Sequence, residues 1–146
     1  MDMERINPSG LARPSGFSHA VSVAGGGATG RMVFLAGQTG VDRDGKVVGG
    51  GIVPQFEQAL GNLLAALAAA GGRPEHLTSL TIYSTDLQDY RRHGKQIGAV
   101  WRRLAGQRYP AMAAVGVSGL WDRAAVVEIQ GFAVVPAAQE PLTTGT

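Results

Sequence analysis

A chain of 146 residues is long enough to bury one hydrophobic core and short for two ordinary domains. Its 45% apolar and 16% charged residues describe a globular chain, and a net charge of +2 with dispersed basic residues argues against a nucleic-acid surface. The absence of cysteine excludes disulfides, thiol nucleophiles and thiolate metal sites.

In chain order, Met1–Arg5 carries no apolar h-region and is not expected to be a signal peptide. Phe17–Val23 is expected to be a strand, and Gly25–Gly30 a glycine-rich turn. Because that turn leads into a strand, it lacks the phosphate-binding geometry of a helix N-terminus. Arg31–Gln38 is the next strand, forming a hairpin with the first. Asp42–Lys46 reads as a tight turn with Gly45 at positive φ, followed by a short arm at Val47–Val48. A first helix begins near Pro54 and shows Phe56, Leu60, Leu63, Leu64 and Leu67 on one stripe before Gly71–Gly72 stops it.

Leu77–Thr85 is a strand rich in threonine and isoleucine. Asp86 or Asp89 caps a second helix with the stripe Tyr90, Ile97, Val100, Trp101 and Leu104, closed by Gly106. Ala111–Leu120 and Ala124–Val135 complete the strands. From Ala137 the tail is polar and expected to be disordered, leaving a single domain over 1–136. No segment approaches the roughly 20 apolar residues that cross a bilayer, so a cytoplasmic protein without membrane contact is expected.

Five or six strands with two amphipathic helices predict a two-layer α+β domain, its helices on one face. The other face is not polar. Met32 and Phe34 oppose Val33 and Leu35 in one strand, and Phe132 and Val134 oppose Ala133 and Val135 in another. Large exposed apolar faces associate, so a homo-oligomer is expected.

Within the last strand, Glu128 interrupts an otherwise apolar run. A carboxylate in such a setting raises its pKa or finds partners, and perturbed carboxylates concentrate at functional sites. Glu128 is therefore a candidate acid–base residue, with a structural glutamate bonded across a subunit interface as the alternative. His19 has no second ligand at metal spacing and reads as a hydrogen-bonded structural residue; His76 and His93 read as solvated. No nucleotide-binding or metal motif is present.

The pieces in register are Phe17-Ser18-His19-Ala20-Val21 after Gly16, Ala36-Gly37-Gln38-Thr39-Gly40-Val41-Asp42, Gln58-Ala59-Leu60-Gly61-Asn62-Leu63, Tyr83-Ser84-Thr85-Asp86-Leu87, and Tyr109-Pro110-Ala111-Met112-Ala113 through Val127-Glu128-Ile129-Gln130. Together, over about Ile6–Val135, they resemble the RidA/YjgF family. The resemblance implies a chorismate-mutase-like (YjgF/L-PSP) α+β fold with a six-stranded mixed sheet, two helices on one face and a closing hairpin at the C-terminal end. It also implies a homotrimer with a central barrel and ligand clefts between subunits. The activity it implies is hydrolysis of reactive enamines and imines to 2-keto acids and ammonia, with no cofactor. Glu128 matches the family's water-orienting glutamate. Met112 stands where deaminating members carry a carboxylate-binding arginine, and methionine offers neither donor nor charge. Ala114 and Phe17 also stand at cleft positions, Phe17 where the family has tyrosine.

Gly37 would let backbone approach a ligand, or serve packing alone. Gln38 would supply an amide to the cleft or satisfy backbone. Trp121 would wall the cleft mouth or pack between subunits, with Tyr109 a weaker rim candidate. Three functions compete: imine or enamine hydrolysis on a substrate without the usual carboxylate anchor, non-catalytic small-molecule binding by a regulatory trimer, and a specialised pathway enzyme that condenses, cyclises or deaminates an aromatic-derived enamine. Endoribonuclease activity ranks lowest, for want of a nucleophile–base pair or an arginine cluster.

Overall fold

The computed structural model describes residues 3–15, 17–25 and 30–137. Of the expected Gly25–Gly30 turn, residues 26–29 lie outside the described residues, as do Gly16 and the expected tail beyond Ala137. In chain order the elements are β1 (Met3–Ile6), β2 (Ala20–Ala24), β3 (Arg31–Thr39), α1 (Ile52–Ala69), a 3-10 turn (Pro74–His76), β4 (Leu77–Ser84), α2 (Leu87–Arg92), α3 (Gly94–Ala105), β5 (Ala111–Gly116) and β6 (Val127–Val135).

The strands form one six-stranded sheet in the order β1-β2-β3-β6-β4-β5. All pairs are antiparallel except β4 with β5, which makes the sheet mixed. The α+β reading therefore holds, with local corrections. β1 was not anticipated: Met3-Glu4-Arg5-Ile6 buries only Ile6, too little apolar alternation to mark a strand. β2 begins at Ala20 rather than Phe17, because the backbone N–H of His19 is taken by Asn7 Oδ1 at 2.9 Å.

The expected closing hairpin does not form. β5 runs parallel to β4 at the sheet edge, while β6 inserts between β3 and β4. β6 starts at Val127, three residues later than expected, because Gln55 of α1 captures the preceding backbone. Its amide donates to Ala124 O (3.1 Å) and accepts from Val126 N–H (2.9 Å).

α1 packs its stripe of Phe56, Leu60, Leu63 and Leu67, each 1% exposed or less, onto Val33 and Leu35 of β3 and Val127, Ile129 and Ala133 of β6. Its C-terminus closes with Gly72 N–H on Leu67 O and Gly71 N–H on Ala68 O, both 2.9 Å, around Gly71 at φ 85. The expected second helix is two helices, giving three where two were expected. The break falls at His93-Gly94: His93 leaves helical geometry at ψ 16, and glycine is a poor helix former. Asp86 caps α2 as expected, its carboxylate accepting from Asp89 N–H.

The face opposite the helices is uncovered. Met32, Phe34, Phe132 and Val134 are 39–48% exposed, and Phe34 and Phe132 meet edge to face at 5.2 Å. Every residue of β5 is exposed. Among the described residues, no helix is long and apolar enough to cross a membrane.

Gln55→Leu removes both bonds to the segment before β6 and leaves Ala124 O and Val126 N–H without their partner. Because both bonds are only part-buried, we expect a loss of about 0.5–1.5 kcal/mol per bond, read as a lower midpoint in urea unfolding. Unchanged stability would contradict the tie between α1 and β6.

Candidate functional site

The cleft begins with an irregularity in β3. Its register against β6 runs Leu35↔Gly131 and resumes at Gln38↔Ile129 and Thr39↔Glu128, leaving Ala36 and Gly37 without β6 partners. Bulges of this kind bend a strand and re-aim side chains, often beside active sites. Ala36 N–H is used instead by His19 O at 2.8 Å. The Glu128 side chain occupies the space beside Gly37. A Cβ at residue 37 would overlap Glu128 Oε1 and sit 3.0 Å from its Cδ. Glycine is therefore required for Glu128 to lie where it does, which is more specific than the backbone access anticipated from the sequence.

Around this pair lies a cleft of about 530 Å³, bordered by Ala12, Arg13, Ser15, Phe17 and His19, the bulge of β3, Val41 and Gly45 of the following turn, and Trp121, Asp122 and Glu128. Glu128 is half-buried, and no described residue donates a hydrogen bond to its carboxylate. Burial pushes its carboxyl above the ordinary 4.5, and the Asp122 carboxylate adds to the rise. Asp122 is fixed by Thr39, whose hydroxyl donates to Asp122 Oδ2 at 2.6 Å.

His19 braces the opposite wall. Its Nε2–H donates to Ala12 O at 2.8 Å, and its Nδ1 accepts from Gln38 Nε2 at 2.9 Å. These partners fit the neutral ring with the proton on Nε2, and His19 is 3% exposed. The structural reading of His19 agrees with this arrangement. Gln38 lines the cleft while its amide nitrogen is committed to His19. Phe17 meets the His19 ring edge to face at 5.3 Å and is 52% exposed, and Trp121 is 94% exposed at the mouth.

Asn62 on α1 steadies the floor, its amide donating to Val41 O at 2.8 Å and Thr39 O at 3.3 Å. Asp122, Thr39, Gln55 and Asn62 were not singled out from the sequence. Gln55 and Asn62 were detectable as two amides seven residues apart on an otherwise apolar helix face. Asp122 carried no such signal.

Of the expected site residues, Glu128, Phe17, Gly37, Gln38 and Trp121 share the cleft. Met112 and Ala114 do not. They lie exposed on β5, separated from β6 by β4, and do not border this cleft within one chain. Tyr109 also lies elsewhere, stacked on Trp101 at 6.2 Å. His93 is not simply solvated, since its Nδ1 lies 2.9 Å from Asp89 O and 3.2 Å from Asp89 Oδ1. His76 is half-buried, its Nδ1 accepting from Arg73 N–H at 2.9 Å. Among the described residues, no three His, Cys, Asp or Glu side chains cluster as metal ligands.

The sequence profile of the endoribonuclease L-PSP family matches residues 11–135. The chain belongs to that family, the Rid proteins. Protein DfrA of Myxococcus xanthus is 39% identical over 119 residues, covering 81% of this chain and 84% of that protein. The 2-iminobutanoate/2-iminopropanoate deaminase of Capra hircus is 32% identical over 117 residues, covering 80% and 79%. A Rid-family crystal structure from Yersinia pestis superposes with TM-score 0.77 at 26% identity, covering 92% of this chain and 100% of the other. RidA from Psychrobacter superposes with TM-score 0.73 at 26% identity, covering 90% and 99%. The Rid fold expected from the sequence is thus the fold observed.

The raised Glu128 pKa has a signed consequence for stability. In the folded protein the protonated form is favoured, so the stability tied to Glu128 is complete below about pH 4.5. It falls as pH rises from there through the folded-state value. Glu128→Gln mimics the protonated acid. Its melting temperature should match the wild type at pH 4 and exceed it at pH 7.5; an equal offset at both would contradict the raised pKa.

Proposed function

We propose that the cleft hydrolyses the C=N bond of reactive imines, including those formed by tautomerisation of enamines, giving a carbonyl compound and ammonia. The carrying observation is Glu128: a half-buried carboxyl with raised pKa, beside a bulge whose backbone lacks a strand partner. General acid–base catalysis is most effective when the group titrates near the working pH, and burial with Asp122 moves Glu128 in that direction. As carboxylate, Glu128 accepts a proton from a water molecule while its oxygen adds to the imine carbon. As acid, it returns that proton to the nitrogen, giving a carbinolamine; the carboxylate then takes the carbinolamine hydroxyl proton and passes it to the nitrogen, so that the C–N bond breaks and ammonia leaves as the carbonyl forms. Atoms balance as imine plus water to carbonyl plus ammonia. We assign the Gly37 backbone, left without a β6 partner, to hold the leaving nitrogen.

The names of the similar deaminases support this reaction class. The uncovered sheet face with Phe34 and Phe132, and the exposed β5, support a homotrimer in which sheets meet around a barrel. Met112 and Ala114 would then reach the cleft only from a neighbouring subunit. Because Met112 provides no cation, substrates are not small 2-imino acids held by an arginine on β5. A regulatory trimer that binds without turnover uses the same cleft. It predicts ligand-induced thermal stabilisation and no product.

The test generates 2-aminoacrylate and bulkier 2-imino acids in situ and follows ammonia and keto-acid release. We expect acceleration over buffer that is smaller for 2-aminoacrylate than for the bulkier imines. Loss of the acid–base group in Glu128→Gln should reduce it by about 10²-fold or more. Gly37→Ala, which displaces the carboxylate without removing it, should lose most activity with little change in melting temperature. No acceleration over buffer with any of these imines removes the proposal.

A further inference from the structure

The N-terminal segment brings one guanidinium to the cleft. Arg13 borders it on the same segment as Phe17, and no other described residue lining it carries a guanidinium or ammonium group. His19 does not compete for an anion, because both ring nitrogens are already bonded. Arg13 is exposed and forms no ion pair among the described residues. Nor is it paired with the acids of its own cleft: no ion pair among the described residues joins Arg13 to Asp122 or Glu128, and Asp122 is bonded to Thr39 instead. The cleft therefore holds both a guanidinium without an ion pair and the carboxyl of Glu128.

The same cleft also presents aromatic surface. Phe17 and Trp121 expose 52% and 94% of their surface there. A volume of about 530 Å³ falls within the range of sites for ligands much larger than a three-carbon acid. Guanidinium presents paired donors that match a carboxylate.

We propose that Arg13 is the anion-binding residue of this cleft, receiving the carboxylate of a substrate whose aromatic or bulky apolar body lies against Phe17 and Trp121. This rests on the hydrolytic reading only for the chemistry at Glu128; the binding claim stands on its own. The substrate class is a carboxylate-bearing imine with an extended apolar body. Its anion is held by the N-terminal segment instead of β5.

The test measures binding of phenylpyruvate and of phenylacetone, its uncharged counterpart, to the full chain by calorimetry. The wild type should bind phenylpyruvate about tenfold or more tightly than phenylacetone, the range of a hydrogen bond to a charged group. Arg13→Gln should abolish that preference while leaving phenylacetone affinity and melting temperature unchanged, and Arg13→Lys should keep part of it. Equal binding of the two ligands by the wild type overturns the proposal, as does a preference that survives in Arg13→Gln, or no phenylpyruvate binding at millimolar concentration. The two readings fail separately. Arg13-dependent carboxylate preference without imine turnover leaves the anchor and removes the hydrolysis; turnover with an unchanged KM in Arg13→Gln does the reverse.

Discussion

The site depends on the space beside Gly37, where a missing Cβ leaves room for the Glu128 carboxyl. That space exists because β3 slips register between Leu35 and Gln38, so two residues lose their partners on β6. In this geometry the acid sits half-buried against backbone, with no described donor to satisfy it, and Asp122 presses its pKa further upward. The chemistry assigned to Glu128 follows from an unfavourable electrostatic position that the surrounding fold sustains.

What sustains it is a set of buried polar contacts, largely made by amides. Gln55 holds the backbone leading into β6, and Asn62 holds the end of β3, so one helix fixes both strands that frame the cleft. Gln38 and Ala12 lock the His19 ring, and Thr39 locks Asp122. Each buried polar group is costly unless paired, so these contacts specify one arrangement more than they add net stability. The aromatic residues at the mouth are left free to meet a ligand.

Much of this was legible from residues, and the failures have physical causes. The α1 stripe, the Asp42–Lys46 turn with Gly45 at φ 82, and the two-sided apolar strands were readable because period and turn chemistry are local signals. Glu128 stood out because a charge in an apolar run is rare. The strand order did not follow from the sequence: β6 pairs with β3 and β4 by long-range contacts that no local pattern encodes. The split between α2 and α3 turns on one residue, His93, whose ring reaches Asp89. Asp122 and Arg13 join the site through loop geometry, which periodicity does not carry. Met112 and Ala114 were placed at the cleft by resemblance, and a single chain holds them at the far sheet edge.

The fold and family membership rest on the whole chain, whereas the proposed chemistry rests on one carboxyl group. Its titration is directly observable by carbon NMR of the Glu128 side-chain carboxyl, in the wild type and in Asp122→Asn. The account predicts a midpoint above 4.5 in the wild type that moves downward, but stays above that value, once the Asp122 charge is removed. A wild-type midpoint at or below 4.5, indifferent to residue 122, would contradict it.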